Sequence, residues 1–178
     1  MSLLNIRIVG DPILRRKAKE VMEFGEELET LASNMVETML ENDGIGLAAP
    51  QVGILKRFIV IGLPVSEDSE TRKIFTLANP VVLERSEEKE VLEEGCLSIP
   101  EITEEVERAV QIRVQFQDLE GNYQEMTTEK VLARVIQHEI DHLDGVLFID
   151  HLSPLRRTLL RGKIKRLQQD QAQTAREA

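Results

Sequence analysis

Apolar residues recur along this chain with two different periods, and the switch between them marks its elements. Leu28, Leu31, Met35, Val36 and Met39 fall three or four apart, which predicts a helix over about 26–42, ended by Asp43-Gly44-Ile45-Gly46. Phe58-Ile59-Val60-Ile61 is short and β-branched, as a buried strand requires. Ile74 to Leu77 predicts another, stopped at Asn79-Pro80, and the polar stretch Pro64 to Arg72 is the segment best suited to move. The clearest strand sets Val110, Ile112, Val114 and Phe116 against Gln111, Arg113, Gln115 and Gln117, one face dry and one wet. Glu120-Gly121-Asn122 turns it back into Tyr123–Met126, a hairpin. Thr128 can cap a helix running to about His142. Its Val131, Leu132, Val135, Ile136, Ile140 and Leu143 occupy so much of the circumference that it must be buried. Gly145 ends it, and Ser153-Pro154 opens a last helix as N-cap and first turn, fraying over about 170–178.

Strands and helices mix without βαβ alternation, so the fold class expected is α+β: mainly antiparallel sheets around a buried central helix, plus a C-terminal helix. With 178 residues and no internal repeat, the chain reads as one domain, 1–178.

Composition narrows the function classes. Trp is absent and aromatics are 3%, too few for a nucleic-acid stacking surface. Charge is unevenly spread. Residues 1–150 carry 15 Lys/Arg against 30 Asp/Glu, and residues 151–178 carry 7 against 2. The acidic body should repel nucleic acid, so no direct recognition is expected of it, whereas the basic tail could approach it or simply be a solvated helix face. A single cysteine, Cys96, excludes an internal disulfide and points to a reducing compartment. The first residues do not read as a signal peptide, and no apolar run approaches a membrane span. A cytoplasmic protein without membrane association is the expectation.

The helix that must be buried carries His138-Glu139-Ile140-Asp141-His142. Two imidazoles four residues apart share a helix face and can converge on one cation, with Glu139 on the flank to handle a proton of its water. A catalytic ion needs a third protein ligand. Phe148 stands where metzincin proteases carry a third His, and no carboxylate beyond His142 suits a thermolysin-like arrangement. His151 reads better as a cap or solvent-facing residue. Cys96, in Glu94-Gly95-Cys96-Leu97-Ser98, is the other candidate: alone it would be core filler, but Glu94 is an odd companion for an inert thiol.

Three segments together resemble the signatures of bacterial peptide deformylases: Gly44-Ile45-Gly46-Leu47-Ala48-Ala49-Pro50-Gln51, Glu94-Gly95-Cys96-Leu97-Ser98 and Gln137-His138-Glu139-Ile140-Asp141-His142. Gly10-Asp11-Pro12-Ile13-Leu14-Arg15, Leu147-Phe148 and Leu152-Ser153-Pro154-Leu155 fit as well. The resemblance implies removal of the N-formyl group from nascent chains that begin with formyl-methionine. It implies Cys96, His138 and His142 as ligands of one divalent ion, Fe(II) by family habit, with Zn(II), Ni(II) or Co(II) compatible with the donors. It makes Glu139 the general base, and Gln51 and the Leu97 N–H the donors to the developing oxyanion. Gln51 on its own would read as an exposed loop amide. Ile45, Gly46 and Gly95 would meet the substrate backbone, the first two by edge-on pairing. Val131 and Val135 would line the methionine pocket, and structural core is an equal reading of both.

Arg134 and Thr103 depart from the family's usual residues, predicting an altered preference downstream of methionine, with acidic residues favoured through Arg134. Arg157, Arg161 and Lys165 form one basic line on the last helix, for which the resemblance suggests ribosome docking. The alternatives are a zinc metallopeptidase and a non-catalytic ribosome-binding protein with a structural metal.

Overall fold

The computed structural model describes residues 2–66, 69 and 71–177, with side chains described as far as residue 172. The elements in chain order are α1 (Glu26–Glu41), β1 (Gly46–Ala48), β2 (Phe58–Pro64), β3 (Arg72–Arg85), β4 (Lys89–Cys96), β5 (Ile99–Ala109), β6 (Gln111–Gln117), β7 (Tyr123–Glu129), α2 (Lys130–Leu143) and α3 (Pro154–Glu177). Five strands form one sheet in the order β1-β2-β3-β6-β7, and β4-β5 form a second. Every strand pair is antiparallel. This is the α+β architecture expected, with α2 at its centre.

The amphipathic patterns explain the layering. The main sheet contributes Ile59, Ile61, Leu77, Ile112 and Val114 to the same cluster as Ala133, Val135, Ile136, Ile140 and Leu143 of α2. Leu28, Leu31, Met35 and Met39 of α1 join Leu47, Phe58 and Val60 in a second cluster. The third gathers Ile99, Ile102 and Val106 of β5 with Phe148, Ile149 and Leu160. α2 therefore sits where both sheets can reach it, and polar groups on its circumference are withdrawn from water.

Several boundaries differ from the sequence reading. β3 does not stop at Asn79-Pro80. Asn79 takes a positive φ of 50° and the ladder to β6 shifts register between Ala78 and Val81, so the chain bulges and continues. Asn79 is held there by its own side chain, which accepts from Val21 N–H at 2.8 Å and donates to Gln117 Oε1 at 2.7 Å. Thr128 does not cap α2, because it is still paired with Ile112 in β7. The helix begins two residues later, with Lys130 N–H bonded to Val110 O at 2.9 Å. Gly145, at φ 75°, follows α2 as expected, and Ser153 Oγ accepts from Arg156 N–H at 3.3 Å at the start of α3. α3 is helical as far as Glu177, past the point where fraying is expected. Of the segment expected to be mobile, residues 67, 68 and 70 lie outside the described residues.

The largest difference is the β4–β5 hairpin, which apolar alternation did not reveal. Its inward positions include Glu94, Glu104 and Arg108, all buried. No helix among the described residues is long and apolar enough to cross a membrane.

Candidate metal centre

His138 and His142 project from the same face of α2, their ring centroids 5.0 Å apart. Cys96 comes from the other sheet. A register shift between Glu94 and Cys96 at the end of β4 sets Cys96 opposite Ile99, and its Sγ lies 3.3 Å from His142 Nε2. The ligand atoms of Cys96, His138 and His142 all fall within 4.8 Å of one another, the one such His/Cys/acid group among the described residues. His151 is not part of it; its Nε2 meets Asp141 Oδ2 at 2.7 Å.

The protonation chemistry of these groups suits a cation. Burial pushes the Cys96 thiol up, but the charge of His142 and the hydrogen bond to His138 more than reverse this, bringing it down to about 5. For His138, burial disfavours the charged ring, yet Cys96 and Glu94 raise it well above its ordinary value. A deprotonated sulfur between two imidazoles is a donor set that a divalent cation can take over from the proton. A buried polar atom beside it, Glu139 Oε2, has no protein partner. Unpartnered groups at this depth are costly unless a ligand, ion or water completes them, so the donor set and its surroundings fit a bound metal.

A second layer of charge orients the first. His138 Nδ1 meets Glu94 Oε2 at 2.9 Å, which assigns its N–H to Nδ1 and leaves Nε2 for the centre. Arg108 grips both oxygens of Glu94, at 2.9 and 3.0 Å, and Arg134 Nη1 adds a bond to Oε1 at 2.8 Å. Burial would raise Glu94, but His138 and Arg108 hold it well below the usual carboxylate range. Arg108 continues to Asp141 Oδ2 at 2.6 Å. The sequence marked Glu94 as unusual but gave no hint of Arg108, since only the β4–β5 pairing shows that it points inward.

Glu139 is 3% exposed, and burial dominates it, raising the carboxyl to about 7. A carboxyl held near neutrality can both accept and return a proton. Gln51 is not an exposed loop amide: it is 1% exposed. Its Oε1 accepts from Ala48 N–H at 2.8 Å, which turns Nε2 toward Ser98 Oγ at 3.1 Å and Cys96 Sγ at 3.4 Å. Leu97 is half-buried beside Gly44, and Gly95 is exposed with Thr103 against it. Gly46 lies so close to α2 that a side chain there would overlap the Glu139 carboxylate and come within 2.8 Å of Val135 Cγ1. Ile45 is 43% exposed. The two valines separate: Val135 is buried in the core cluster, while Val131, a turn earlier, is 52% exposed and is not core.

Arg134 is the clear correction. Besides Glu94 it donates to Val106 O at 2.9 Å and Glu90 O at 2.6 Å. With its guanidinium committed to β4 and β5, it is not free to read an acidic substrate residue.

A single Cys and two His with an adjacent buried carboxyl, set where two antiparallel sheets meet a central helix, are the parts of a mononuclear metal hydrolase. A family profile for polypeptide deformylases matches residues 3–158. The peptide deformylase of Thermotoga maritima is 48% identical over 165 residues, covering 91% of this chain and 94% of that protein. That of Mesorhizobium japonicum is 45% identical over 172 residues, covering 97% of each. The fold agrees: the T. maritima crystal structure superposes with a TM-score of 0.79 at 47% identity, covering 86% of this chain and 100% of that one. A plant peptide deformylase gives a TM-score of 0.91 at 35% identity, covering 98% of this chain and 94% of that one. The chain belongs to the polypeptide deformylase family.

Proposed function

We propose that this chain removes the formyl group from the N-terminal formyl-methionine of nascent polypeptides, releasing formate and a free amine. The observation that carries the reading is the buried, partly unpartnered Glu139 carboxyl beside the Cys96/His138/His142 cluster. A divalent cation held by those three residues, Fe(II) by family resemblance or Zn(II), Ni(II) or Co(II) by donor chemistry, supplies Lewis-acid activation of water and of the formyl oxygen.

The chain's own groups do the rest. Glu139 takes the proton of the attacking water and returns it to the amine nitrogen as the C–N bond breaks. Gln51 Nε2–H and the Leu97 N–H donate to the oxygen that gains charge, and donors fixed before reaction cost no reorganisation. Ile45 and Gly46 offer backbone at the free edge of β1, Gly95 leaves room for close approach, and Val131 and Val135 form an apolar wall for the methionine side chain. Pairing through backbone suits substrates of many sequences. Arg157, Arg161 and Lys165 on exposed positions of α3 would dock the protein on the ribosome, and a cytoplasmic location goes with that partner.

The test is formate release from formyl-Met-Ala-Ser, run beside the same peptide without its formyl group. Formate from the first and no cleavage of the second is the expected result. Cleavage of the unformylated peptide without formate release would make the chain a metallopeptidase, and neither product with metal bound would leave only a structural role.

A further inference from the structure

The free edge of β1 is shaped by a residue outside the metal centre. In the β1–β2 ladder Gly46 faces Ile61 and Leu47 faces Val60. Gly62 N–H donates to Ile45 O at 3.0 Å, so the bonded positions are Ile45 and Leu47, and antiparallel alternation turns the N–H and C=O of Gly46 away from β2. The same parity aims Ala48 N–H outward, where Gln51 takes it.

The reciprocal bond of a continued ladder, Ile45 N–H to Gly62 O, is not made among the described residues. Arg72 holds that carbonyl instead. Its Nη1 donates to Gly62 O at 3.2 Å and to Gly44 O at 2.9 Å. Gly44 O belongs to the peptide unit that carries Ile45 N–H. In a trans peptide the two point in opposite directions, so fixing the oxygen fixes the N–H. Arg72 reaches it by lying over Gly62, with Cδ 3.6 Å from where a Cβ would stand.

We propose that Arg72 is a positioning residue for the substrate backbone. It ends the β1–β2 ladder one residue early and holds the Gly44–Ile45 peptide so that Ile45 N–H and the Gly46 backbone face an incoming chain. This rests on the reading that substrates pair edge-on with Ile45 and Gly46. A guanidinium suits the task because one planar group can serve two carbonyls that a flexible amine would hold only loosely.

Two substrates separate the inference from the reading beneath it: amidated formyl-Met-Ala-Ser and the same peptide with N-methylated Ala and Ser amides. In the unaltered protein the N-methylated peptide should have the higher KM; equal values sink edge pairing, and the role of Arg72 with it. Given that difference, Arg72→Met should raise KM for the unmodified peptide about tenfold, with kcat and metal content within about twofold. Unchanged KM for the unmodified peptide, or a fall in kcat at constant KM, overturns the inference and leaves edge pairing standing. Arg72→Lys keeps the charge and stem and should fall between; it carries the test should Arg72→Met not fold.

Discussion

In α2, Gln137, His138, Glu139 and His142 are buried, whereas α3 keeps Arg157, Arg161 and Lys165 in water. The buried polar groups of α2 have specific partners or lie in or beside the Cys96/His138/His142 cluster. Gln137 Nε2 donates to Ala109 O and Ala133 O, both at 3.0 Å, and His138 is tied to Glu94. α3 is anchored by little: Leu160 is buried, Ile164 and Leu167 are half-buried, and Arg156 pairs with Glu104 at 2.6 Å. The family profile ends at residue 158, near the start of α3. Charge in a low-dielectric setting acts on protonation and orientation at short range, while charge in water acts on association and is screened by salt. The two helices should therefore fail differently when altered.

The largest effect should come from Glu139→Gln, which keeps shape and removes the proton acceptor. Formate release should fall by about 10²–10⁴-fold while metal analysis shows the ion retained. Loss of metal along with activity would mean that Glu139 holds the site together instead of moving a proton. Next is Glu94→Gln. It leaves Arg108 and Arg134 without their shared counter-charge, which should cost about 3–5 kcal/mol in denaturant unfolding. Chelator competition should show metal held about 10–100-fold more weakly, because His138 loses its orienting partner. Metal affinity that stays constant despite the lost stability would uncouple the charge layer from the centre.

The smallest catalytic effect belongs to α3. Replacing Arg157, Arg161 and Lys165 together by Glu should alter peptide turnover by less than about twofold, since exposed charges add little to the fold. Ribosome binding should drop and lose much of its salt dependence. If peptide turnover fell as steeply as in Glu94→Gln, the contrast between the helices would break. Charge replacement tests this better than truncation after Leu155, which would also strip Leu160 from the core; burying a leucine contributes about 1.5–3 kcal/mol.

What the sequence conveyed follows the same division. Spacing alone exposed α1, α2, the β6–β7 hairpin and the His-x-x-x-His face, because apolar periodicity and helix geometry are local. The β4–β5 hairpin escaped because Glu94, Glu104 and Arg108 occupy inward positions where apolar side chains are expected, each stabilised by partners distant in sequence. Asn79-Pro80 read as a stop because the bonds from Asn79 to Val21 and Gln117 that sustain the bulge cannot be inferred from neighbours. Pattern alone puts Arg134 on the substrate side for the same reason: its three acceptors come from strands that apolar alternation does not reveal. The cluster of Cys96, His138 and His142 with Glu139 beside it is legible in the sequence, and the charges packed around Glu94 are not.

Gly46 sets a limit on how this protein could escape an inhibitor. The volume that a side chain at 46 would need is already taken by the carboxyl of Glu139. A compound resting on that glycine could not be evicted by enlarging it, since the same substitution would displace the Glu139 carboxyl. Resistance would have to arise elsewhere along the proposed substrate edge, as at Ile45 or Val131, whose side chains already stand in solvent.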